Sequence, residues 1–129
     1  MPLATSLVES GRLQEADELF SSAVEQARAR GLEGLALGVE IERARLESTT
    51  NPAWSSEAAA ALVERALPVL EAEGDDAGLA QAWRLMWVVE WAPGRLAAAK
   101  ETGRRGLAHA ERAGDPQLIA DSLANIGAP

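Results

Sequence analysis

Apolar and small residues recur along this chain at steps of three and four, the spacing that lines one face of an α-helix. Leu13, Ala16, Phe20, Ala23 and Ala27 form one such series, and Ala59, Val63, Ala66 and Leu70 another. No stretch shows the alternating, β-branched pattern of a strand. Further helices are predicted from roughly Leu32 to Glu47, from roughly Ala77 to Trp91, and from near Pro116 onward. Asp115 is placed to cap the last of these with Pro116 at its first position, and Asp75 and Asp76 stand in the same place before the helix that precedes it. With a short helix near Leu3 to Glu9, the pattern predicts an all-α fold of about seven helices. Pro68 falls inside one of them. Proline there removes a hydrogen bond and crowds the preceding turn, so a kink or break is expected.

The pattern also repeats. The segments starting at Gly11, Trp54 and Gly94 begin 43 and then 40 residues apart. Each reaches a glycine at the same offset, Gly31, Gly74 and Gly114, and each carries alanine at the same internal place, Ala16, Ala59 and Ala99. A closing glycine suits a helix C-terminus, where the chain turns through a left-handed residue. Arg28, Arg30, Arg104, Arg105 and Arg112 lie in the C-terminal halves of their helices, where positive charge suits the helix dipole. Helix pairs at this period predict a solenoid, because one hairpin cannot bury its apolar face alone and neighbours stack. The units run roughly over residues 1–31, 32–74, 75–114 and a partial 115–129.

These segments resemble the tetratricopeptide repeat, in a longer variety of about 40 residues. Ala16, Phe20 and Ala23 match the small-aromatic-small pattern of that repeat's second helix. Ala59, Val63 and Ala66 match it with valine for the aromatic, while Ala99, Gly103 and Gly106 match in the first residue and in being small. Leu123-Ala124-Asn125-Ile126-Gly127 resembles part of the first helix, where the glycine lets two helices approach. The stretch Gly74 to Arg95 is similar to repeat regions of actinobacterial regulatory proteins that join a nucleotide-cyclase-like domain, an ATPase domain and a repeat domain. The resemblance implies a right-handed superhelical solenoid of antiparallel hairpins, spanning residues 1–129 as a piece of a longer array. Trp87 departs from the pattern: it stands where Gly127 stands one repeat later, and an indole there should widen the helix pair or point outward.

Composition narrows the functional classes. The formal net charge is -8, which disfavours binding to phosphate backbones and makes a basic partner or basic peptide the easier match. The absence of cysteine removes disulfides, thiolate metal sites and cysteine nucleophiles. MPLATSLVES has no basic region followed by an apolar run, so no secretory signal is expected. The most apolar run, Leu85 to Ala92, is far shorter than the ~20 residues that span a bilayer. A cytoplasmic protein, apart from any membrane, is the expectation.

No catalytic constellation is visible. His109 is the single histidine and has no cysteine or carboxylate pair at ligand spacing; a helix-surface position is expected for it. Glu71, Glu73, Asp75 and Asp76 lack the calcium-loop pattern and read as a solvated helix end. The glycines at Gly94 and Gly103 do not frame a phosphate loop, and neither Ser21-Ser22 nor Ser55-Ser56 has a base at recognisable spacing. A non-enzymatic chain without cofactor or metal is expected. Trp83, Trp87 and Trp91 share a helix face at steps of four. They admit two readings: core between helices, or an aromatic stripe on a concave surface that holds a partner. The second makes Gln81, Arg84, Trp87, Val88 and Trp91 the candidate partner-binding residues of an interaction scaffold. The alternative function is a regulatory or sensor segment of a multidomain bacterial ATPase or cyclase-like signalling protein. An exposed terminal repeat would favour self-association.

Overall fold

The computed structural model of the chain describes residues 13–91 and 94–127, and these form six α-helices with no strand among them. They are α1 (Leu13–Ala29), α2 (Glu33–Thr50), α3 (Ser56–Glu73), α4 (Asp76–Trp91), α5 (Leu96–Ala113) and α6 (Pro116–Gly127). The seventh helix expected, near Leu3 to Glu9, lies outside the described residues, as does the side chain of Leu13. The chain divides into two compact units, the first ending at Trp54 and the second beginning at Ser55.

The first unit is a helix pair. Ala16 and Phe20 pack with Val39 and Leu46, and Val24 and Ala27 with Ala36, so the start of α1 meets the end of α2. That order makes the pair antiparallel. The buried stripe of α1 is Ala16, Phe20, Val24 and Ala27; Ala23 is only half buried. Ion pairs of 2.6 Å from Arg43 to Asp17 and 2.8 Å from Arg28 to Glu40 tie the two helices together at the flank. Hydrogen bonding to Glu33 raises the Arg28 pKa above its ordinary value, with Glu40 adding to the effect. The Trp54 indole N–H donates to the carbonyl of Ala44 at 2.9 Å, anchoring the end of the unit on α2.

The second unit repeats itself at a spacing of 40 residues. The buried positions of α3 are Ala59, Leu62, Val63, Ala66 and Leu70. Those of α5 are Ala99, Thr102, Gly103, Gly106 and Ala110, each 40 residues further on. Both helices end in a left-handed glycine, Gly74 at φ 65° and Gly114 at φ 68°. Gly31 does the same for α1 at φ 73°, with Leu32 N–H returning to the Ala27 carbonyl at 2.9 Å. Glycine is required at these three turns because a side chain there would strain against its own carbonyl.

The helix starts follow the capping rules. Ser55 accepts from Ala58 N–H at 3.1 Å, which gives this serine a structural task at the head of α3. Asp75 accepts from Gly78 N–H at 2.9 Å, and Asp115 from Gln117 N–H at 2.9 Å. Asp115→Ala is expected to destabilise the second unit by about 1 kcal/mol. A urea midpoint identical to that of the parent chain would show that the cap contributes nothing.

At Pro68 the break that the sequence allowed does not occur. α3 runs from Ser56 to Glu73 without interruption. Proline cannot donate to the carbonyl of Glu64, but Glu64 and Pro68 are both exposed. The carbonyl left over belongs to an exposed residue on the helix face that proline shares, where solvent is at hand to take its place, and the helix continues.

Candidate functional site

α4 is the helix on which the expected site lies, and its sequence is apolar on almost every side. The structure gives the reason: α4 packs on α3, α5 and α6. No residue from Gly78 to Trp91 is fully exposed. Leu79, Ala80, Ala82, Leu85 and Val89 form its buried stripe, with Leu85 at 0% exposure.

Contacts with α5 run in antiparallel order. Asp76 meets His109, Trp83 meets Gly106, Trp87 meets Gly103, and the Thr102 hydroxyl donates to Glu90. Contacts with α6 run in parallel order: Ala80 shares a cluster with Leu118, and Arg84 pairs with Asp121 at 3.2 Å.

Small residues on α5 make room for the indoles of α4. A Cβ at Gly106 would lie 3.4 Å from the Trp83 Cβ, and one at Gly103 would lie 3.8 Å from the Trp87 ring. Trp87 therefore does not point outward. It is half buried, and the space for its indole comes from the glycine it faces. Gly127, its counterpart one repeat later, closes α6, but its surroundings lie outside the described residues.

The five candidate residues are all half buried. Gln81, Arg84, Val88 and Trp91 share one face, since three, seven and ten residues along a helix return to nearly the same direction. Trp87 joins this face through a stack with Trp91, with ring centroids 5.0 Å apart and planes at 15°. Trp83 is held apart from them, under the Arg105 guanidinium, 5.2 Å from its ring centre. Gly106 and Arg105 both stand on α5, so Trp83 is part of the α4–α5 seam; a cation over a partly exposed indole contributes about 0.5–1 kcal/mol. Two polar atoms on α4, Gln81 Oε1 and Trp87 Nε1, are buried and have no hydrogen-bond partner. Leaving such a group unpaired costs about 1–3 kcal/mol.

Sequence reasoning missed the polar groups that face α4 from its neighbours. Asp121 on α6 engages Arg84, Thr102 on α5 engages Glu90, and His109 on α5 is half buried with Nδ1 2.9 Å from Asp76 Oδ1. His109 is thus a partner in a helix–helix contact and not a plain surface residue. With the carboxylate as acceptor, its Nδ1 carries the donated proton. Repeat spacing was the available signal, since it sets the start of α4 opposite the end of α5.

Among the described residues no three histidine, aspartate or glutamate side chains group as metal ligands would. No helix among them is long and apolar enough to cross a membrane. Comparison with protein-family models, with characterised proteins and with solved structures returns no match.

Proposed function

We propose that the chain is a tetratricopeptide-like interaction scaffold whose antiparallel hairpins stack as a right-handed solenoid, and that α4 presents the surface on which a protein or peptide partner docks. The repeat of burial between α3 and α5, residue for residue at a 40-residue spacing, supports the scaffold. The observation that carries the binding reading is the Trp87–Trp91 stack, half exposed at the edge of the contact between α4 and α5. Tryptophan supplies large contact area at little cost in conformational freedom, and it dominates many protein interfaces. Val88 extends the apolar patch. Gln81 and the Arg84–Asp121 pair give it a polar edge, and the acidic chain favours a partner with basic residues at its rim.

Trp91→Ala tests this reading with little harm to the fold, because Trp91 ends its helix and Trp87 holds the seam with α5. Affinity for a partner captured with the parent chain is expected to fall by about 2 kcal/mol, some thirtyfold. Isothermal titration with the captured partner measures it. Unchanged affinity, with unchanged circular dichroism, would remove the α4 surface as the site.

A further inference from the structure

The first of the three indoles on α4 is supplied with a cation by its own chain. The Arg105 guanidinium of α5 lies over Trp83, 5.2 Å from the ring centre, and also reaches Glu101 at 3.7 Å. Because α4 and α5 run antiparallel, one turn forward along α4 corresponds to one turn back along α5. That step takes Trp83 to Trp87 and Arg105 to Glu101. The next takes Trp87 to Trp91 and Glu101 to Ala97 and Ala98, both exposed. Where the first indole has a guanidinium, the second is therefore offered a carboxylate and the third only alanine. Among the described residues no cation stands over Trp87 or Trp91. These two rings meet each other instead, with centroids 5.0 Å apart and planes 15° from parallel.

Charge and shape decide what such a stack takes. The chain carries a net -8, which draws cations to its surface. Two carboxylates belong to this end of the seam: Glu90, which Thr102 engages through one oxygen, and the exposed Glu101, which Arg104 and Arg105 reach only at 3.6 and 3.7 Å. Nearly parallel indoles present a flat surface. The arginine guanidinium is planar, weakly hydrated and stacks on aromatic faces, whereas the lysine ammonium is compact and strongly hydrated. We propose that the Trp87–Trp91 stack takes an arginine side chain of the partner that docks on α4, its guanidinium set over the indoles as Arg105 is set over Trp83. This assignment rests on the docking surface proposed above and names the chemistry of what docks there.

A capped Gly-Arg-Gly-Arg-Gly peptide is the probe, with its lysine and glutamate counterparts beside it. Each is titrated into the full chain while the indole N–H resonances of the four tryptophans are followed. The arginine peptide is expected to move the Trp87 and Trp91 signals, saturating with a Kd on the order of 1 mM, and to leave those of Trp54 and Trp83 in place. The lysine peptide is expected to bind at least about threefold more weakly, and the glutamate peptide to move neither signal. Trp91→Leu keeps an apolar side chain but lacks the indole face. It is expected to weaken the response at Trp87 at least about threefold, with circular dichroism unchanged. Equal responses to arginine and lysine would reduce the effect to attraction by an acidic chain and overturn the proposal. So would shifts at all four indoles, no shift at all, or a Trp91→Leu chain that responds like the parent. The docking surface fails separately, when Trp91→Ala leaves the affinity of the captured partner unchanged. A partner that needs Trp91, while the arginine peptide moves neither indole, would sink the arginine assignment alone.

Discussion

Leu85→Ala is expected to lower the unfolding free energy of the second unit by about 3 kcal/mol, with little change in the urea m-value. Leu85 is fully buried and lies on α4, the helix that packs against three others. Truncation removes three carbons, the branch point and its two methyls, and leaves a cavity that three helices would have to move together to close. A domain of this size holds only about 5–10 kcal/mol in total, so the loss is a large share of what keeps it folded. Denaturation followed by circular dichroism measures it. A loss below about 1 kcal/mol would show that the site collapses freely, and α4 would then not be the centre of the unit.

The second large effect is at Gly103, and there the size of the substituent matters more than its polarity. A Cβ at this position would stand 3.1 Å from Ile126 Cγ1 and 3.8 Å from the Trp87 ring. In Gly103→Ala, a shift of a few tenths of an ångström by Ile126 is set against the roughly 1 kcal/mol by which alanine favours a helix over glycine. The two nearly cancel, and stability close to that of the parent is expected. Gly103→Leu gains almost the same propensity but must place its branched carbons where Trp87 and Ile126 already are. Overpacking then wins, and a net destabilisation of about 2 kcal/mol is expected. Urea denaturation of the pair of variants reads the difference. If leucine proves as stable as alanine, the indole of Trp87 does not rest on this glycine.

Much of the helical pattern was legible because it is carried by local rules. Glycines that close α1, α3 and α5 are needed for a left-handed turn whatever surrounds them, and Asp115-Pro116 starts a helix through its own hydrogen bonds. The small-residue stripe of α3 was read correctly for the same reason. Whether Pro68 breaks its helix depends on where the freed carbonyl points, which is a tertiary fact, and α3 runs through it. α2 was placed only approximately, and it runs on to Thr50. Its charged residues are drawn inward by pairs such as Arg45–Glu42 at 2.6 Å, which blurs the contrast between its faces.

The candidate site was legible in part. Its five residues do lie on one helix, and Trp87 and Trp91 do meet. Whether the stripe was core or surface could not be settled from periodicity, since a helix with neighbours on three sides shows no polar face to orient it. The structure separates the three indoles: Trp83 belongs to the seam with α5, while Trp87 and Trp91 form a pair at its edge. Arg84 reads as a surface charge in sequence, yet its guanidinium is held by an aspartate 37 residues away.

The placement of Trp54 has a practical consequence for watching this molecule unfold. One fluorophore belongs to the first unit, fastened to the backbone of Ala44, while the other three belong to the second. Replacing Trp54 with phenylalanine leaves emission that reports on the second unit alone, and subtracting that signal from the parent's isolates the first. The chain thus carries its own pair of optical channels, one for each half, without any added dye.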